Sequence, residues 1–142
     1  MRLHLLLLGL SALGLLVLCA SEAGAGAKEV KTTKEWKGSV GDANLQKGAP
    51  EVIVSAKALE KLWKDWMIED KAPKVDFEKE IVVIVTTVGS KINLGSPKLD
   101  DKGNLQVNAI ATSDFGQGFR YVIATVPREG VKTVNKKELP KE

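Results

Sequence analysis

Ile81-Val82-Val83-Ile84-Val85 is an unbroken run of β-branched apolar residues in the middle of the chain. A strand with one face in water alternates polar and apolar positions; a strand covered on both faces does not. Branching at Cβ suits the pleated backbone, so the run predicts a central strand. Upstream, Leu59, Leu62, Trp63 and Trp66 fall at i, i+3, i+4 and i+7, with Lys57, Glu60, Lys61, Lys64 and Asp65 on the other face. That spacing predicts an amphipathic helix. Ser55 stands at its N-cap, and the helix should end near Ile68, ahead of Asp70-Lys71-Ala72-Pro73. Before it, Glu51–Val54 reads as a short strand, Gly41–Pro50 as a loop, and Lys34–Val40 as an edge strand anchored by Trp36.

Downstream of the run everything reads as β. Lys91–Leu99 is a weaker strand broken by Gly95 and Pro97, and Asp100-Asp101-Lys102-Gly103 is a turn with Gly103 suited to positive φ. Leu105, Val107, Ala109 and Ala111 alternate with polar residues, apart from Ile110, and complete a hairpin. Ser113–Gly118 is a second turn, Phe119–Val126 a long strand closed by Pro127, and Val131–Val134 a short edge. The expected fold is α+β: ββα and then an antiparallel β-meander, with one amphipathic helix on a twisted antiparallel sheet. The expected organisation is residues 1–27 as a signal peptide, 28–50 as a polar N-terminal segment, 51–135 as a single α+β domain, and 136–142 as a charged tail.

The leader rests on Arg2, the apolar stretch Leu5–Leu18 and the small-residue stretch Ala20–Ala27. These match the three regions of a secretory signal. At roughly 1.5 Å per residue the stretch would reach about 21 Å as a helix, short of a bilayer core of ~30 Å, so no transmembrane span is expected after processing. The predicted location is periplasmic or secreted. Leu16-Val17-Leu18-Cys19 also resembles a bacterial lipobox, with Leu18 where that pattern has a small residue. Cys19 is therefore the candidate lipidation site, and a membrane-anchored lipoprotein is the alternative location.

The 142-residue chain holds one Cys and one His, and both, Cys19 and His4, lie in the leader. Without it, Cys nucleophiles, His-based triads, Cys or His zinc sites and internal disulfides lose their reactive residues. The net charge is +3, and removing Arg2 and Glu22 together leaves it unchanged. So small and scattered a charge does not describe a nucleic-acid surface. Asp76, Glu78 and Glu80 alternate and would face one way in an extended segment, as in a hard-cation site. Lys74 and Lys79 offset them, and solvated carboxylates at a strand entrance are the expectation. No cofactor and no metal site are expected.

The turn Ser113–Gly118 and the turn Gly89–Lys91 are expected at the same end of the sheet, because alternate turns of a meander return to one edge. Lys91, Asp114, Phe115 and Gln117 are the candidate partner-binding residues. A large aromatic between glycines is an anchor if it faces solvent, and a core cap if it turns inward. Both readings of Phe115 stand on sequence alone.

Val75-Asp76-Phe77, followed by Glu80, the Ile81–Val85 run and Gly89, and later Tyr121-Val122 through Val126-Pro127-Arg128, resembles the C-terminal domain of the protease complex subunit PrcB. The similarity covers roughly Leu59 to Val134. In place of that family's Thr-Gly-Gly-Tyr turn stands Asn93-Leu94-Gly95-Ser96. The resemblance implies an exported bacterial protein with a protein partner, assisting a secreted protease. Together these readings predict a non-catalytic exported binding or accessory module, assisting a secreted protease or other envelope protein. A protease inhibitor presenting its loops is the alternative, and a carboxylate-dependent hydrolase is third.

Overall fold

The computed structural model describes residues 26–141. Residues 1–25 of the expected signal peptide, Cys19 among them, lie outside the described residues. The elements in order are β1 (Lys28–Glu29), β2 (Lys34–Val40), a 3-10 turn (Ala43–Gly48), β3 (Val52–Ile53), α1 (Ala56–Asp65), β4 (Glu80–Thr87), β5 (Ile92–Leu94), β6 (Lys98–Leu99), β7 (Asn104–Gln106), β8 (Ala109–Ala111), β9 (Phe119–Pro127), β10 (Thr133–Val134) and β11 (Lys137–Glu138). The architecture is mixed, mostly sheet with two helices.

A four-stranded antiparallel sheet ordered β2-β9-β4-β3 is its centre. The predicted central strand is β4, and Ile81, Val82 and Val83 are fully buried. Their alternation sorts them between two cores. Val82 and Ile84 pack with Val40, Phe119, Tyr121 and Ile123 under α1, against Leu59, Leu62, Trp63 and Trp66. Ile81 and Val83 face the other way, into Leu105, Val107, Val126, Val131 and Val134. The apolar run is unbroken because a layer covers each face of the sheet.

Helix α1 starts where expected: Ser55 Oγ accepts from the Ala58 N–H at 3.3 Å. Its end comes a little early. Trp66 caps it and Met67 takes φ 51. The Met67 N–H donates to the Lys64 carbonyl at 3.1 Å and the Ile68 N–H to the Trp63 carbonyl at 3.0 Å, which is a Schellman ending. The Gly41–Pro50 stretch, read as a loop, contains the 3-10 turn, entered by Asp42 accepting from the Asn44 N–H.

The meander is replaced by a different order. β4 and β9 pair directly along their lengths, from Glu80↔Pro127 to Thr87↔Arg120. Everything between them is one excursion, a long hairpin with two paired stretches. Ile92–Leu94 pairs with Ala109–Ala111, and Lys98–Leu99 with Leu105 and Gln106. The register slips by one residue between the stretches, where Gly95 and Pro97 interrupt the strand. The expected turn is present at its tip: Asp100 Oδ1 accepts from the Lys102 and Asn104 N–H groups at 2.9 Å each, and Gly103 has φ 86.

The β6-β7 stretch joins a five-stranded sheet ordered β1-β6-β7-β10-β11. There β10 runs parallel to β7, so the sheet is not wholly antiparallel, and β10 is interior rather than an edge. Lys137–Glu138, placed by sequence in a charged tail, is strand β11, joined to β10 through Asn135 and Lys136 at φ 48 and φ 67. Two successive positive φ angles make a type I′ hairpin turn. Lys28–Pro50 likewise contributes β1 and β2 to these sheets.

Val75-Asp76-Phe77 leads into β4 as a turn rather than an extended segment. Val75 and Phe77 pack on the helix-side core. The Asp76 carbonyl accepts from the Lys79 and Glu80 N–H groups, and its side chain from the Glu78 N–H at 3.2 Å. Asp76, Glu78 and Glu80 therefore do not align on one extended face. Arg128 closes the other end of this corner, its guanidinium donating to the Phe77 carbonyl at 2.6 Å.

Candidate functional site

The two turns selected from sequence meet. Because Thr87 and Arg120 are cross-strand partners, the excursion between β4 and β9 must leave and return at one place. That pairing, and not a meander, brings Gly89–Lys91 beside Ser113–Gly118. Asp114 holds the two together. Its Oδ1 accepts from the Ser90 N–H at 2.9 Å and from the Thr112 hydroxyl. Thr112 Oγ1 also accepts from the Lys91 N–H at 3.1 Å, and the Thr112 N–H donates to the Lys91 carbonyl at 3.1 Å. The Gly116 N–H donates to the Val88 carbonyl at 2.9 Å. Gly89 permits the close approach, since a Cβ there would collide with the Thr112 carbonyl.

Donors crowd the Asp114 carboxylate. The Ser90 side chain, the Thr112 hydroxyl and the Ser90 backbone N–H favour the charged form and hold the carboxyl well below the usual range. Asp114, placed by sequence among the partner-contacting residues, is thus occupied within the cluster as its cross-link.

Phe115 follows Asp114 and is 90 % exposed. It does not cap the core. Gln117 and Lys91 are exposed on the same pair of turns. Other apolar side chains in water are Ile110 on β8 and Met67 after α1, with Val88 partly so.

Beneath the Gly89–Lys91 turn lies a cleft of ≈ 430 Å³. Lys37 and Ser39 of β2, Arg120 of β9, Asn93 of β5, and Ser90 and Lys91 line it. Lys37 and Ser39 share a face of β2, and Arg120 is the cross-strand partner of Ser39. Lys37 is matched: its Nζ lies 2.9 Å from Glu35 Oε1 and donates to Asn93 Oδ1 at 3.0 Å. Lys91 and the half-buried Arg120 form no ion pair among the described residues. Sequence reading found Lys91 and missed Lys37, Ser39, Asn93 and Arg120. A signal was there: Lys37 and Ser39 alternate with Trp36 and Val40, and Arg120 interrupts an otherwise apolar strand.

A larger concavity of ≈ 540 Å³ lies between α1 and β3, walled by Leu45, Pro50, Val54, Leu62 and Trp66. Lys61 and Asp65 on its rim pair with each other. No helix among the described residues is long and apolar enough to cross a membrane. Among the described residues, no three His, Cys, Asp or Glu side chains gather as a metal site would need. The chain matches no protein-family model, no curated protein and no solved structure.

Proposed function

We propose that this protein is a non-catalytic exported binding or accessory module whose partner is another protein, docking at the Gly89–Lys91 and Ser113–Gly118 turns. One observation carries the reading: Phe115, 90 % exposed, stands on a turn tied down by Asp114. A large aromatic in water on a mobile loop would lose conformational freedom on binding. Here the backbone beneath it is held by the Ser90, Thr112 and Val88 hydrogen bonds before any partner arrives. Preorganised aromatics carry a disproportionate share of interface energy. Export rests on the leader, and assistance to a secreted protease rests on the resemblance to the PrcB C-terminal domain.

The test is Phe115→Ala in the exported protein. A benzophenone amino acid at position 115 should cross-link one polypeptide in the envelope fraction, whereas the same reporter at Lys57 on the outer face of α1 should not. The alanine variant should lose co-purification of that polypeptide with a urea midpoint corresponding to less than about 0.5 kcal/mol of change. Retained co-purification, or a loss of stability above roughly 2 kcal/mol, would remove Phe115 as an anchor.

A further inference from the structure

We infer that the cleft under the Gly89–Lys91 turn takes a carboxylate side chain from an acidic segment of the protein partner, with Arg120 as the receiving group. The inference deepens the proposed function and rests on it for the partner being a protein. Its own ground is the unmatched charge. A guanidinium has five N–H donors in a fixed fork, and those that no protein acceptor takes are left to water or to a ligand. Arg120 is half-buried and forms no side-chain hydrogen bond or ion pair among the described residues.

The surroundings are those of an anion site. Lys91 adds a second unmatched cation, and the Ser39 hydroxyl and the Asn93 amide add neutral donors. Of the carboxylates nearby, Glu35 is on Lys37, and Asp114 is on the Ser90 N–H and the Thr112 hydroxyl. A bidentate contact to a carboxylate uses the fork fully. Arg120 lies on the sheet face, and the cleft over it is ≈ 430 Å³. The cleft is continuous with the turn cluster, since Ser90 and Lys91 line the one and brace the other.

The experiment is a titration of isotope-labelled protein, residues 28–142, with a capped triglutamate peptide, followed through backbone amide shifts. Capped triglutamine, inorganic phosphate and vesicles containing anionic phospholipid are run in parallel. Triglutamate should shift the amides of Ser39, Ser90, Lys91, Asn93 and Arg120 and saturate, with affinity falling as salt rises. Arg120→Gln should weaken it at least about fivefold, and Arg120→Lys by less, because a point charge replaces a fork. Lys91→Gln, on an exposed turn, gives the same readout should Arg120→Gln disturb the sheet.

Equal binding of triglutamine, or no change in Lys91→Gln and Arg120→Gln, would overturn the inference. So would phosphate binding as tightly as triglutamate, which would make the cleft a general anion site. Sedimentation with vesicles in an Arg120-dependent manner would assign the cleft to a membrane surface instead. Phe115→Ala should leave triglutamate binding intact. Loss of the cleft alone thus leaves the Phe115 reading standing, and loss of the Phe115 reading alone leaves an acid-binding cleft.

Discussion

Met67 and Lys136 each occupy a backbone conformation that glycine adopts at no steric cost. Met67 has φ 51 at the Schellman end of α1, with its side chain largely in water. Lys136 has φ 67 at the second position of the β10-β11 turn. An L side chain in this region costs roughly 1–2 kcal/mol against the right-handed one, and neither side chain is buried enough to offset it. Met67→Gly and Lys136→Gly should each stabilise the protein by about 1 kcal/mol in urea melts, and together by nearly the sum, since they share no hydrogen-bond partner. Asn135 should not be exchanged with them, because its side chain accepts from the Val107 N–H at 2.8 Å. Asp114 makes a pH prediction at the same scale. Its carboxyl is depressed below the ordinary 3.8 in the fold. The stabilisation it lends the turns is therefore present above the unfolded value and is lost as pH falls below it through the folded one. A carboxyl carbon titration should show Asp114 still ionised below the ordinary 3.8, and Asp114→Asn should remove the acid-induced loosening of the Ser90 amide.

Elements were legible in proportion to how local their cause is. Helix α1 was readable because Ser55, the apolar stripe and the opposing charges all lie within a few turns of one another. Trp63 shows the consequence: it is 5 % exposed, and its ring meets Trp36 of β2 edge-on at 6.1 Å. Trp63→Ala should cost about 3–5 kcal/mol, measured by equilibrium urea unfolding. Strand β11 was missed because its turn is Asn-Lys, and a hairpin turn with two positive φ angles is ordinarily signalled by Asn-Gly. The direct pairing of β4 with β9 was missed for a different reason. Both strands are apolar on both faces, so their pattern says that they are central and not which strand is beside which. Register in such a sheet is settled by what covers it, here α1 on one side and the β6-β7 and β10 strands on the other. The turn cluster was foreseen from a meander and arises from that other pairing, because either arrangement returns the chain to the same edge. The Arg120 cleft was beyond reach without the register, since only the Ser39↔Arg120 pairing puts β2 and β9 polar residues on one face.

At the scale of the molecule, stability should be distributed unevenly between the central sheet and the hairpin that leaves it. The β4-β9 ladder is buried on both sides: Ile81, Val82, Val83, Val122, Ile123, Ala124 and Val126 are inaccessible to solvent. Opening it requires disrupting both cores. The β5-β8 stretch is a two-stranded ribbon whose second strand, Ala109–Ala111, is exposed at every residue. An isolated ribbon of that length is marginal in water, and it is attached to the rest through Ile92 and Leu94, the Lys37–Asn93 hydrogen bond and the Asp114 cluster at its base. Hydrogen exchange should therefore separate two units. Amides of Val82–Val85 and Tyr121–Ala124 should exchange only through global unfolding, with free energies that follow the urea-derived stability. Those of Asn93 and Ile110 should exchange through a local opening that leaves the ladder protected. Gly118→Ala links the two, because Gly118 has φ +67 and a Cβ there would strike the Val40 carbonyl where β2 meets β9. That substitution should lower the protection of the ladder itself, whereas Asp114→Asn should lower only that of the ribbon and its turns. Equal loss throughout in both variants would show one cooperative unit. The proposed binding face would then have to be understood as part of the core and not as a braced appendage of it.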